Sequence, residues 1–302
     1  MTGWRLLTYA DKANGCQAGV LWEDRVYPAS LLLQLEAALS VLDILNGWEA
    51  NRPAINQALT SLRSRSGLAL AEVSLRAPIL YPPAIYVSGG AYESHAREMA
   101  ELAGRPFTKA RVDDPFFTIR PAQHTIIGPH EDIVYPKFTQ KLDWEAELGV
   151  VIGRETYEVG EDDAMASVAG YVICNDLSAR DFIRREGMPN QIIHDWFAQK
   201  CFPGSMPMGP WITPAEFVDP TQVPIRLWVN EVVKHDSSTA EMVFSIPEMI
   251  SYLSRHVRLL PGDVISTGCP AGVGVAKGDF LQLGDIIRMD FGICGTMTHR
   301  VT

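Results

Sequence analysis

The chain has 302 residues, 47% hydrophobic and 21% charged, enough to bury a full core as one large domain or as a large domain with a smaller partner. Its 26 Lys and Arg stand against 36 Asp and Glu, and the net charge of −10 opposes binding along a phosphate backbone, which argues against nucleic acid as a partner. The N-terminal string MTGWRLLTYADKANG lacks a basic segment followed by an apolar one, and no run approaches bilayer-spanning length, so a cytoplasmic protein without a membrane partner is expected.

In chain order, residues 4–10 read as a strand, residues 16–29 as a hairpin turning at Glu23 and Asp24, and the apolar-periodic residues 30–45 as a helix. A second helix is expected from Arg52 to Leu62, with Pro53 in its first turn, where proline costs little. Pro78, Pro82 and Pro83 mark a boundary, predicting a small N-terminal α/β domain over 1–78 and a second domain over 79–302. From Ile85 onward short apolar runs alternate with Gly and Pro, interrupted by helices predicted near Tyr92–Leu102, Met165–Ala169 and Ile246–Arg255. The fold class is therefore α+β, dominated by sheet. The 5 cysteines are scattered and never in CxxC spacing, so they are read as reduced thiols rather than a disulfide framework or zinc cluster.

The most informative string is KLDWEAELGVVIGR, residues 141–154. Strand alternation puts Asp143, Glu145 and Glu147 on one face and Trp144, Ala146 and Leu148 on the other. Like-charged neighbours repel, so either a positive group sits there or the carboxylates face water on a half-exposed strand. A second apolar run, GYVICNDLSARD, ends in Asp176, well placed to join such a pair. Carboxylates without His or Cys at ligand spacing select a hard ion, Mg²⁺ or Mn²⁺ with Ca²⁺ possible, over Zn²⁺.

The segment SGGAYESHAREMAELAG opens on Gly89 and Gly90 and continues as a helix with His95 and Glu98 one turn apart. That pairing suits a general base on a closing lid; the alternative is a solvated helix with weak surface ion pairs. The string GCPAGVG is not a phosphate loop, since Pro270 removes a backbone donor and no helix follows.

The order YESHAREM, LDWEAELGVVIG, NDLSARD, FAQKCFPGSMPMGPW and LLPGDVISTGCPAGVG resembles the fumarylacetoacetate hydrolase family from about residue 80 to the C-terminus. The resemblance implies a mixed β-sandwich roll, a homodimer, and a divalent ion held by Glu145, Glu147 and Asp176. It implies His95 with Glu98 as a base dyad on a mobile lid, Lys200 as a catalytic cation, and Tyr92, Arg180 and Cys269 as substrate contacts. Arg180 and Lys200 could instead be surface charges paired with Asp181 or Glu186. The implied activity is metal-dependent hydrolysis of a C–C bond in a 2,4-dioxo acid of acylpyruvate or fumarylpyruvate type, through a pyruvate enolate stabilised by the ion. Isomerisation, decarboxylation or hydration of a 2-hydroxydienoate is the alternative within the family, and a non-catalytic oxo-acid binder the alternative outside it. Ala91, Ile183, Pro203 and Cys269 depart from the residues common in the family, Cys269 replacing a hydroxyl, so the substrate is where this chain is expected to differ.

Overall fold

The computed structural model describes residues 3–11, 15–62, 67–107, 114–185, 187–189 and 194–302. The N-terminal unit runs β1 (Arg5–Asp11), β2 (Gly15–Trp22), β3 (Arg25–Pro28), α1 (Ala29–Leu32), α2 (Val41–Asn46), α3 (Trp48–Ser61), β4 (Leu68–Ala69) and β5 (Ser74–Arg76). The hairpin between β2 and β3 turns at Glu23, whose φ of 58° meets the left-handed requirement of a tight turn. The single helix expected over 30–45 is instead two. Gln34 takes a left-handed φ of 56°, and Ser40 starts α2 afresh through a capping box with Asp43. The next helix begins at Trp48, four residues before the expected start, so Pro53 is its sixth residue and lies inside the helix, where it removes one backbone donor, rather than in the first turn.

The remainder comprises β6 (Ile85–Gly89), α4 (Glu93–Leu102), β7 (Phe116–Arg120), α5 (Ala122–Thr125), β8 (Ile126–Ile127), β9 (Leu142–Asp143) and β10 (Ala146–Ile152). It continues through α6 (Glu161–Ala164), β11 (Val168–Asn175), β12 (Ser178–Ala179), α7 (Trp196–Lys200), β13 (Met206–Pro214), β14 (Pro224–Val229) and β15 (Val232–Ser238). Then come α8 (Ile246–His256), β16 (Val264–Ser266), β17 (Ile286–Asp290) and β18 (Thr296–Arg300). The helix expected at Met165–Ala169 is one 3₁₀ turn over Met165–Ser167, because Val168 already enters β11. The helix expected at Ile246–Arg255 is α8, built by a Ser245–Glu248 capping box and by Ile246, Met249, Ile250 and Leu253 on one buried stripe.

A mixed sheet of 12 strands has the order β4-β3-β2-β1-β13-β11-β10-β16-β6-β7, with β5 on β1 and β8 on β13. A second, four-stranded sheet has the order β15-β14-β17-β18. Every residue of β10 and β11 is buried, and their alternation feeds two cores. Leu148, Val150, Tyr171 and Ile173 pack towards Ile225, Leu227, Ile287 and Met289 of the second sheet and towards α8. Val151, Val172 and Cys174 pack towards Ile44, Leu45, Trp48 and Ile55 of the N-terminal helices. The outcome is an α+β, sheet-dominated sandwich with helices on the outer face of the large sheet.

Candidate functional site

The site follows from the register of β10 against β11. Ala146 pairs with Asn175 and Glu147 with Cys174, so the chain entering β10 meets the chain leaving β11. Glu145 and Asp176 are thereby neighbours: the Asp176 N–H donates to Glu145 O at 2.8 Å, and the Glu145 N–H to Asn175 Oδ1 at 3.0 Å. On the other side β16 lies against β10, and Ser266 Oγ (2.6 Å) and the Gly268 N–H (3.0 Å) donate to Glu147. All three carboxylates are buried.

Buried carboxylates require partners. Lys200, last residue of α7, donates to Glu145 Oε2 at 2.7 Å and also contacts Asp176 Oδ2, so one ammonium spans both residues. Arg180 donates through Nε to Asp143 Oδ2 at 2.7 Å and through its other arm to Glu145. Arg180 and Lys200 are therefore not surface charges. Asp181 is occupied with Thr139 and the Gln140 N–H (2.9 Å), and Glu186 lies outside the described residues.

Two roles were not legible in the sequence. Asp143, expected on the face of Glu145 and Glu147, instead accepts from the Gly274 (2.6 Å) and Val275 (3.0 Å) N–H groups and anchors Arg180. The pairing of β9 with β12, Asp143 opposite Ser178, brings them together. Arg120, at the end of β7, is fully buried behind the site, paired with Asp176 and donating to Ser205 Oγ at 3.2 Å. A lone Arg after an apolar strand and before Pro121 carries no signal separating it from a surface charge.

Electrostatics separate the two glutamates. Burial opposes ionisation of Glu145, but Lys200, Arg180 and His95 outweigh it and hold the carboxyl below the usual range. Glu147 is pushed up to about 7 by burial and by the charge of Glu145, only partly offset by Ser266. Burial lowers the Lys200 ammonium, and the Cys269 thiol is raised well above its ordinary value by burial and by both glutamates. That shift favours the protonated thiol, a poor nucleophile.

His95 and Glu98 lie on α4, which faces this cluster. His95 Nδ1 is 3.5 Å from Glu98 Oε2, a loose contact that leaves Nε2 available. Glu98 is itself fixed by the Gly272 N–H at 3.0 and 3.2 Å, and the Ala271 N–H donates to Ser94 Oγ at 3.2 Å, so the 268–274 loop holds the helix. Burial opposes ionisation of Glu98, but His95 and the Gly272 amide prevail and keep it below the usual range. His235 supports the loop from β15, its Nδ1 donating to Ala271 O at 2.8 Å.

A cavity of about 190 Å³ opens between α4 and the carboxylates, lined by His95, Glu145, Glu147, Asp176, Arg180, Lys200 and Cys269 and, further out, by Met99, Phe116, Ile183 and Trp196. Tyr92 is not among the lining residues: it is fully buried at the start of α4, beside Thr267, where burial raises its phenol. Glu145, Glu147 and Cys269 offer donor atoms all within 4.8 Å of one another, and Lys200 ties Asp176 to the same group. Of these four residues three offer carboxylate oxygens, a donor set weighted towards a hard divalent ion. Among the described residues, no helix is long and apolar enough to cross a membrane.

The profile described as "Fumarylacetoacetate (FAA) hydrolase C-terminal" matches residues 84–302. A mitochondrial oxaloacetate tautomerase of Bos taurus is 34% identical over 266 residues, 87% of this chain and 79% of that protein. A 2,4-didehydro-3-deoxy-L-rhamnonate hydrolase of a Sphingomonas species is 37% identical over 185 residues, 60% of this chain and 63% of that protein. The solved structure of maleylpyruvate hydrolase from a Sphingobium species, in complex with manganese(II) ion and pyruvate, is similar with a TM-score of 0.77 and 28% identity over 99% of this chain and 98% of that one.

Proposed function

We propose, from the premise that this chain belongs to the fumarylacetoacetate hydrolase family, that it is a divalent-metal-dependent enzyme hydrolysing a C–C bond in a 2,4-dioxo acid of acylpyruvate type. The observation that carries the reading is one cavity lined both by the buried carboxylates and by a histidine backed by a carboxylate. Glu145, Glu147 and Asp176 would hold the ion, Mg²⁺ or Mn²⁺. When bound, the ion supplies a Lewis acid for the C1 carboxylate and C2 oxygen of the substrate.

The rest of the chemistry is assigned to the chain's own groups. Arg180 and Lys200 fix the carboxylates and present N–H groups to the substrate's acid end. His95, aligned by Glu98, takes a proton from water as that water attacks the C4 carbonyl. Lys200 is the proposed donor to the developing oxyanion. Cleavage between C3 and C4 then leaves pyruvate and a carboxylic acid, the C3 carbon receiving a proton. Closure of α4 would exclude bulk water. Residues 1–78 and 79–302 as two units of one cooperatively folding chain, a homodimer, and cytoplasmic location belong to the same proposal.

A second reading, keto–enol tautomerisation of an oxo-diacid, is favoured by the identity to oxaloacetate tautomerases. One experiment separates the two: purified protein with Mn²⁺ is given an acylpyruvate, and products are followed by pyruvate-coupled NADH oxidation. Stoichiometric pyruvate and a second acid support hydrolysis. Enol loss from oxaloacetate, with no pyruvate from any acylpyruvate, would overturn it in favour of the tautomerase.

A further inference from the structure

The cavity lining changes character from floor to rim. At the floor, Asp143, Glu145, Glu147 and Asp176 lie among Arg120, Arg180 and Lys200 in a buried cluster. At the rim, Phe116 is 49% and Trp196 36% exposed, their rings 5.7 Å apart, with Met99 and Ile183 beside them. Among the described lining residues the only Lys or Arg side chains are Arg180 and Lys200, and both already contact two carboxylates.

Resting on the functional reading above, we propose that the substrate carries a single carboxylate and an uncharged apolar chain beyond the reacting carbonyl, and that acids with a second, terminal carboxylate are rejected. The charge count supports this. With all four carboxylates ionised, as ion binding requires, four against three cations give −1, which a divalent ion turns to +1, and one substrate carboxylate neutralises that surplus. A second carboxylate would reach the rim, where the ring faces of Phe116 and Trp196 are electron-rich, Ile183 and Met99 offer no donor, and the hydroxyls of Ser88 and Thr118 elsewhere in the lining carry no charge. It would lose water without gaining a cation among the described residues. An alkyl or aryl chain in the same place buries against those side chains instead.

The test uses probes that lack the 4-oxo group and cannot be cleaved. Dissociation constants are measured by titration calorimetry on the whole protein with Mn²⁺ for pyruvate, 2-oxooctanoate and 2-oxooctanedioate. Expected is binding of pyruvate, tighter binding of 2-oxooctanoate, and a loss of about 10²-fold on replacing its terminal methyl by carboxylate. Ile183→Arg, which puts a cation at the rim, should shrink that loss to about tenfold or less. If pyruvate binds and the diacid binds as tightly as the monoacid, the inference is overturned and the functional reading stands. If pyruvate does not bind with Mn²⁺ present, the functional reading falls and takes the inference with it.

Discussion

Glu145 and Glu147 stand two residues apart, yet their surroundings drive their protonation in opposite directions. Lys200 and Arg180 both reach Glu145, whereas Glu147 receives only a hydroxyl and an amide and feels its neighbour's charge. Its carboxyl, ordinarily near 4.5, moves up to about 7, mainly through burial. A raised carboxyl stabilises the fold in its protonated form, fully below about pH 4.5, and that contribution is lost as pH rises through about 7. A chelated protein sample should therefore melt at lower temperature at pH 8 than at pH 5.5. Ion binding needs the carboxylate, so Mn²⁺ affinity should run the other way, rising several-fold between pH 6 and pH 8 in calorimetric titration. Flat affinity over that range would remove Glu147 from the ligand set. Cys269, buried and held protonated, belongs to the wall of the cavity: Cys269→Thr should change substrate preference with turnover kept within about tenfold, and abolished turnover would reassign it. At this scale the sequence displayed Glu145, Glu147 and Asp176 through alternation and strand-end position. It hid Arg120, whose burial rests on partners distant in the chain, Asp176, Leu177 and Ser205.

The element that carries the proposed base, α4, is built differently from α8. No residue of α4 is fully buried, and it is held mainly by Glu98 and Ser94 to two amides of the 268–274 loop, after a left-handed Gly90 at φ 66°. By contrast, α8 has both a capping box and five buried residues. Amides of α4 should accordingly exchange with deuterium at least tenfold faster than those of α8, and should slow when Mn²⁺ and pyruvate are added. Equal protection in the two helices would argue against a lid. His95→Ala should lower turnover by about 10² to 10⁴ while Mn²⁺ binding persists, and Glu98→Ala by less, since it removes orientation alone. A His95→Ala rate within a few-fold of the parent would take His95 out of the chemistry. Periodicity was a sound guide to α4 and α8, whose apolar and polar faces are distinct. It failed over residues 30–45, where the leucines continue through a break that only Gln34 and the Ser40 cap reveal.

Prolines suggested a boundary near residue 78, while the backbone crosses it: β1 pairs with β13, Leu6 opposite Ile212, and the sheet runs without interruption from β4 to β7. Nothing local in either segment announces so distant a pairing. The two parts also share one core. Trp48 packs on Trp4, ring centroids 5.9 Å apart, and a Cβ added at Gly153, just past β10, would meet the Trp48 ring at 2.8 Å. Val151, Val172 and Val264 complete the same cluster, and Val151 shares a face of β10 with Glu147, so the strand that bears Glu147 rests on N-terminal residues. Trp48→Ala, opening a large cavity under that strand, should cost about 3–5 kcal/mol. Because the core is shared, the loss should fall on the whole chain: one unfolding transition, shifted down, with near-ultraviolet dichroism and Mn²⁺ release tracking each other. Excess Mn²⁺ should raise the midpoint of the parent and the variant by similar amounts, as expected for a ligand that binds only the folded state. Two transitions, with the Mn²⁺-sensitive one unmoved by Trp48→Ala, would mean that residues 79–302 hold the site without support from the N-terminal unit.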